Sequence, residues 1–251
     1  MNPYETERLL AEYLLFHYGS PEEVMPWRSG PRDAVDYAVR VVSECVDSAG
    51  LPENARALDL GCAVGRSSFE LTRHCGEVLG VDFSRKFIEA GEKLQRGESI
   101  PYLRKEEGGI FTQCVAKLPD GVLKERVRFE EGDAMHLRAD IGSFDVVLAA
   151  NLIDRLTEPR RFLARLPELV RPGGQLILAS PYTWLPEFTA QEHWLGGGEQ
   201  AGKEQTTLEA LKIHLNADFA LSAVKELPFL IREHARKFQW SMAQATVWRR
   251  R

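Results

Sequence analysis

The sequence has few cysteines, and they are scattered singly. Cys45, Cys62, Cys75 and Cys114 form no Cys-x-x-Cys pair, so zinc-ligand spacing is missing and reduced thiols are the expected state. Basic excess is missing too. The 32 Lys and Arg are outnumbered by 37 Asp and Glu, giving a formal net charge of -5. That balance excludes nucleic acid as an obligatory partner, because nothing offers systematic phosphate neutralisation. The basic end, Arg249–Arg251, is too short to change this. No apolar run approaches the length of a bilayer span. The first helix carries Glu5, Glu7, Arg8 and Glu12, a pattern foreign to a secretory signal. The expectation is a cytoplasmic protein with no metal, membrane or nucleic-acid dependence.

What is present is an ordinary globular composition. The 251 residues are 44% hydrophobic and 27% charged, enough for a sizeable core without disulfides. Leu9, Leu10, Tyr13, Leu14 and Phe16 recur at helical spacing and predict an amphipathic helix that Gly19 and Pro21 end. A second helix is expected from about Pro31 through Val46. Both precede the first strand and form an added N-terminal layer over residues 1–50.

From Ala55 the pattern becomes short buried strands alternating with helices. Strands are expected over 56–60, 78–81, 127–130, 144–149 and 175–180, with helices over 67–75, 84–94 and 159–169. Repeated βα units predict an α/β fold: a doubly wound, mostly parallel sheet. Two stretches interrupt the rhythm. Residues 95–126 are too long for an ordinary connection and predict an insertion with structure of its own. Residues 185–207, with Trp194 and Gly196-Gly-Gly198, read as a mobile loop over one sheet edge. A helix over 208–215 and strands over 219–224 and 243–249 follow. With no repeat or linker, residues 1–251 form one domain, with a core over 55–180 and a substrate loop and terminal strands over 181–251.

Four stations mark the carboxyl ends of successive strands, where open α/β sheets bind ligands. The first is Ala57-Leu-Asp-Leu-Gly-Cys-Ala-Val-Gly65, a strand entering a glycine turn with Asp59 just before Gly61. It lacks both the Gly-x-Gly-x-x-Gly of dinucleotide sites and the Lys-Ser/Thr of a phosphate loop. A missing phosphate cradle suits a ligand without phosphates, such as S-adenosylmethionine. The second is Asp82, followed by Phe83, either an acceptor for ribose hydroxyls or a first-turn charge beside Ser84. The third is Asp133-Ala134, facing an adenine amine or lying in an exposed turn. The fourth is Asn151-Leu-Ile-Asp154.

The order of these stations, with Arg171-Pro-Gly-Gly174 before the fifth strand, resembles the class I S-adenosylmethionine-dependent methyltransferases over residues 55–180. Further blocks narrow the likeness. They are Tyr4-Glu-Thr with Glu12-Tyr-Leu-Leu-Phe-His-Tyr-Gly19, Ala149-Ala-Asn-Leu-Ile-Asp-Arg-Leu156, Ser180-Pro-Tyr-Thr-Trp-Leu185, Trp194-Leu-Gly-Gly197 and Ile231-Arg-Glu-His-Ala-Arg-Lys-Phe-Gln239. Together they are similar to the 5-thiohistidine ring-nitrogen methyltransferases of ovothiol biosynthesis, in the stand-alone form. His234 departs from the small polar residue expected at its position. The resemblance implies a Rossmann-like fold, S-adenosylmethionine as cofactor, S-adenosylhomocysteine as product and a small thiohistidine-like acceptor. With no His-x-x-x-His-x-Glu triad in the chain, an upstream iron sulfoxide synthase would be a separate protein.

These stations and blocks nominate the site residues. Asp59, Gly61, Cys62, Gly65, Asp82, Phe83, Asp133, Ala134 and Asn151 are the candidate cofactor contacts. Asn151, Asp154 and Tyr182 are the candidate catalytic residues. Asp154 is a proton acceptor for the ring, an anchor for the substrate amine, or a helix N-terminal charge. Tyr182 and Trp184 either sandwich an imidazole or pack as ordinary aromatics. Arg155 is a candidate substrate contact, and Arg232 a candidate carboxylate anchor that competes with Arg236 and Lys237 on a basic helix face. His17 and Tyr18 either close over the site or pack internally. Another small amine, imidazole or thiol is the alternative acceptor, and a binding protein that has lost chemistry is a third reading that the intact stations disfavour.

Overall fold

Every residue from Phe144 to Ala149 is buried, and this run lies in the middle of a seven-stranded sheet. The computed structural model describes residues 3–200 and 202–251; positions 1, 2 and 201, which fall in the expected N-terminal layer and loop, lie outside the described residues.

The N-terminal layer is as expected in kind but divided differently. Helix α1 (Glu7–Tyr18) starts where the Thr6 side chain accepts from the Leu9 amide, and stops at Gly19. A single turn, α2 (Pro21–Val24), carries a Ser20–Glu23 capping box. The second long helix is broken: a 3-10 turn at Arg32–Ala34 precedes α3 (Tyr37–Cys45), because Asp36 between them adopts φ 55.

The core then alternates as the sequence predicts. Strand β1 (Arg56–Leu60) leads through the glycine turn to α4 (Arg66–Leu71), and β2 (Glu77–Asp82) to α5 (Arg85–Arg96). The 95–126 insertion is an antiparallel ribbon of β3 (Ile100–Glu107) and β4 (Ile110–Ala116). Then come β5 (Val127–Glu131), β6 (Phe144–Ala150), α6 (Pro159–Leu169) and β7 (Val170–Ser180). In the loop that follows, β8 (Gly198–Gln200) pairs with β9 (Lys203–Gln205). That loop is tied down: the Trp194 indole donates to Thr189 O at 2.8 Å, and Leu195 is fully buried. Helix α7 (Thr207–Leu215) follows.

The terminal strands are much longer than expected. Strands β10 (Phe219–His234) and β11 (Lys237–Arg250) form a continuous antiparallel hairpin. The "basic helix face" around Arg232, Arg236 and Lys237 is therefore the tip of this hairpin. The sheet order is β10-β11-β7-β6-β1-β2-β5, parallel from β7 to β5 and antiparallel at β11 and β10. Leu60, Val147 and Leu178 face α6 and α7 through Phe162, Leu166 and Leu211. Val146, Leu148 and Ile177 face the other way, onto Val41, Val42 and Phe69. Burial on both faces is what requires these strands to be apolar throughout.

Candidate active site

The glycine turn after β1 is shaped by its own backbone. Gly61 and Gly65 adopt φ 71 and φ 87, and Ala63 between them takes φ 49. The Gly61 and Cys62 amides donate to Val81 O at 2.8 and 3.1 Å, which pins the turn to β2. A Cβ on Gly65 would stand 2.5 Å from Phe129 Cζ, so this glycine is required both by its dihedral and by its neighbour. Behind the turn, Asp59 Oδ2 accepts from Ser67 and Ser68 hydroxyls at 2.8 and 2.6 Å, joining β1 to α4. Burial pushes the Asp59 carboxyl up to about 6. The Tyr18 hydroxyl donates to Val64 O at 2.8 Å and fastens α1 to the same turn.

In front of the turn lies a cavity of about 500 Å³ lined by residues from the ends of β1, β2, β5, β6 and β7. Asp82 sits at its edge. One carboxylate oxygen accepts from Ala63 N at 2.9 Å and the other from Ser84 N at 2.8 Å. Burial raises this group to about 6, although both amide bonds oppose the shift. Phe83, Asp133 and Ala134 line the same end. Asp133 accepts from Met135 N at 2.8 Å, and its second oxygen lies 2.8 Å from His136 Nδ1.

The other end of the cavity is aromatic. Phe16 of α1 stacks on Tyr37 of α3 with centroids 6.1 Å apart, and Tyr37 meets Phe229 of β10 at 5.1 Å. The Tyr37 hydroxyl donates to Asn151 Oδ1 at 3.2 Å. Gln239 and Ser241 of β11 contribute further polar groups. His17 lines the wall with its Nδ1 buried and unpartnered; burial and the Arg66 charge push its imidazole down to about 3, so it is neutral. Beyond Asn151, Asp154 Oδ2 accepts from Thr183 N at 3.0 Å and from Arg155 Nη1 at 3.1 Å. Burial raises the Asp154 carboxyl, partly offset by Arg155.

The nominated residues thus divide. Gly61, Asp82, Phe83, Asp133, Ala134, Asn151, Asp154, Arg155 and His17 line the cavity. Asp59, Cys62, Gly65 and Tyr18 lie behind that wall and hold the turn in shape. Three nominations are corrected outright. Tyr182, at φ 52, is half-buried with its ring packed against the core, and its hydroxyl donates to Gln244 at 3.3 Å. Trp184 packs against the same core and donates to the Thr207 hydroxyl at 3.1 Å. Arg232, its side chain 2% exposed, is spent on Glu106 and the Glu23 carbonyl. Tyr4, Tyr13, Phe16, Tyr37, Phe229, Gln239 and Ser241 were not nominated. Tyr4, Tyr13, Phe16 and Gln239 do stand in the quoted blocks, whereas Tyr37 and Phe229 carry no local signal.

These residues fit S-adenosylmethionine. An acid ends β2 where a ribose would lie, the walls are largely apolar, and the basic residue of the turn, Arg66, is paired with Glu70 at 2.8 Å and offers no phosphate cradle.

Comparisons with known proteins agree. Residues 58–178 match a family described as a methyltransferase domain. Norajmaline N-methyltransferase of Rauvolfia serpentina is 21% identical over 69% of this chain and 52% of its own length. Demethylmenaquinone methyltransferase of Clavibacter sepedonicus is 28% identical over 49% of this chain and 40% of its own length. The chain therefore spans about half the length of these relatives. Among solved structures, the [4+2]-cyclase SpnF superposes with a TM-score of 0.59 at 17% identity, over 99% of this chain and 94% of that one. The YcgJ protein of Bacillus subtilis gives 0.55 at 13%, over 86% and 98%. At these identities the structures speak for the fold alone. Residues 58–178 thus match a methyltransferase domain, and the cofactor this match implies is S-adenosylmethionine.

Proposed function

We propose that this chain methylates an imidazole ring nitrogen of 5-thiohistidine, the step that yields ovothiol. The observation that supports it best is the aromatic wall of Phe16, Tyr37 and Phe229 beside the polar Tyr37–Asn151 pair. A flat heteroaromatic ring stacks on such a wall while one edge meets a hydrogen-bonding group. The blocks quoted above, which lie mostly outside the glycine turn, favour the thiohistidine acceptor over others.

S-adenosylmethionine supplies a methyl group on a sulfonium sulfur to a nucleophile arriving in line. The protein's share is alignment and exclusion of water. The ring nitrogen's lone pair forms the new N–C bond as the C–S electron pair returns to sulfur, giving a neutral thioether. The ring gains one positive charge, which a thiolate on the same ring balances, so no base is required when the ring enters with an unprotonated nitrogen. The competing nucleophile is that thiolate. Selectivity is therefore a matter of which ring edge faces the methyl, and the rigid wall and the fixed Asn151 amide act on that. The His17 imidazole, kept neutral by burial, adds no positive charge of its own to the wall of a cavity that takes a cationic cofactor.

The partners belonging to this reading are a small-molecule acceptor and a separate iron sulfoxide synthase upstream, in the cytoplasm, without nucleic acid or membrane. Methyl transfer to another small amine, imidazole or thiol is the alternative, and the relative named an N-methyltransferase is compatible with either. The discriminating experiment follows S-adenosylhomocysteine release with thiohistidine, histidine or histamine as acceptor. Turnover of thiohistidine supports the proposal; turnover of histidine without thiohistidine defeats it.

A further inference from the structure

Among the described residues, two side chains of the cavity wall carry a buried polar atom without a hydrogen-bond partner: Nδ1 of His17 and Oδ1 of Asp154. The second has the sharper consequence. The Asp154 side chain is 1% exposed, and its Oδ2 already holds Thr183 N and Arg155 Nη1. The Ser180 hydroxyl, which accepts from the Tyr182 amide at 3.0 Å, also lies close enough to oppose the rise of the Asp154 carboxyl, but it makes no bond of normal geometry to Oδ1. A buried carboxylate oxygen with no protein donor takes one from water or from a ligand, and here it lies on the wall of a cavity able to hold one.

Arg155 is the next residue and is held just as firmly. Its Nη1 donates to Asp154 O at 3.0 Å and Thr183 O at 2.9 Å, and its guanidinium lies 4.8 Å above the Phe188 ring. Arg155 lines the same cavity, as does Asp154. An anchored acceptor and an anchored guanidinium on adjacent residues match a group that carries an ammonium and a carboxylate on one carbon.

We infer that Asp154 and Arg155 together read the zwitterionic head of an α-amino acid acceptor, the ammonium on Asp154 Oδ1 and the carboxylate on Arg155. This rests on the reading above that the acceptor is an amino acid. The cofactor's methionine end carries the same two groups, so position decides between them. Asp133, Asp82 and the glycine turn follow β5, β2 and β1, which are neighbours in that order. Asp154 and Thr183 follow β6 and β7, the next strands along, on the side away from the adenosine stations.

The test is calorimetric, on protein saturated with S-adenosylhomocysteine. It compares thiohistidine with its decarboxylated amine and its deaminated acid. The amino acid is expected to bind at least 30-fold more tightly than either analogue. In D154N the amino acid and the deaminated acid should bind within about 3-fold of each other, while affinity for S-adenosylhomocysteine stays within about 3-fold. Equal binding of all three compounds to the unaltered protein overturns the inference, and that comparison holds even if D154N fails to fold. A D154N protein that loses S-adenosylhomocysteine but keeps the discrimination also overturns it, since the pair then serves the cofactor. If thiohistidine does not bind but another amino acid does, with the same loss on removing either charged group, the thiohistidine proposal fails and the inference stands. If no amino acid binds, the inference fails.

Discussion

The Tyr37 hydroxyl donates to Asn151 Oδ1 across 114 residues of sequence, at 3.2 Å. It connects the added N-terminal layer to the end of the central strand β6. Asn151 is in the left-handed region at φ 53, and its amide is held on Ala179 O at 2.7 Å. Among the described residues, Ala63, Asn151 and Tyr182 are three of the four non-glycine residues with positive φ, and each follows the end of a parallel strand. Strain concentrated this way is held in place by the surrounding structure and fixes side-chain direction. Burial pushes the Tyr37 hydroxyl far above its ordinary range, so it stays protonated and acts as the donor.

Removing that hydroxyl tests the arrangement. Tyr37→Phe should lower kcat/KM by about 10-fold, equivalent to about 1.4 kcal/mol, and leave S-adenosylhomocysteine affinity near that of the parent. Steady-state kinetics and calorimetry on the same preparations read both. An unchanged kcat/KM would reduce the pair to a packing contact.

Asp82 carries the clearest prediction for the cofactor. Asp82→Ala should weaken S-adenosylmethionine binding by about 1–3 kcal/mol, the cost of leaving polar partners unpaired. Because the carboxylate also holds Ala63 N and Ser84 N, some local stability is lost as well. Affinity equal to the parent's in a titration would make Asp82 a turn residue and nothing more.

The pH dependence follows from the same group and has two opposite signs. Asp59 and Asp82 are both raised from 3.8 to about 6 by burial. A raised carboxyl favours the folded protein below its unfolded pKa, and that contribution is lost as pH rises through the folded value. These two groups therefore make the ligand-free protein less stable as pH climbs from about 4 to about 6. Cofactor binding runs the other way, since ionised Asp82 is the better acceptor for hydroxyl donors. The rise in Tm produced by S-adenosylhomocysteine should grow between pH 5 and 7, and Asp82→Asn should flatten that growth. A constant ligand-induced shift in the unaltered protein contradicts the assignment.

The parallel core was legible because its strands are buried on both faces and read as apolar runs, and because its ligand stations sit at strand ends by chain order. The aromatic end of the cavity was not. Strand β10 carries Lys225, Glu226 and Pro228 in its middle, which hides a 16-residue strand from any alternation rule. Phe229, Gln239 and Ser241 reach the cavity through that hairpin, and Tyr37 reaches it through a helix whose start is set by the left-handed Asp36. Arg232 looked free because its partner, Glu106, lies on the ribbon that the sequence marked only as an insertion. Tyr182 and Trp184 do follow β7, but both pack against the core, where their polar atoms find Gln244 and Thr207, partners distant in sequence.

The glycine turn gives a stability prediction. Gly65→Ala must hold φ 87 with a Cβ 2.5 Å from Phe129 Cζ. The backbone conformation alone costs about 1–3 kcal/mol, and the displaced ring adds to it. Tm should fall and cofactor affinity with it. A variant as stable as the parent, with full affinity, would show that the turn has room this structure does not give it.

The most direct test of the account is the position of the transferred methyl. Protein incubated with S-adenosylmethionine and thiohistidine should release S-adenosylhomocysteine and yield a product whose new methyl group is on a ring nitrogen, as read by two-dimensional NMR. A methyl on sulfur or on the α-amine, or turnover of histidine with none of thiohistidine, would contradict it.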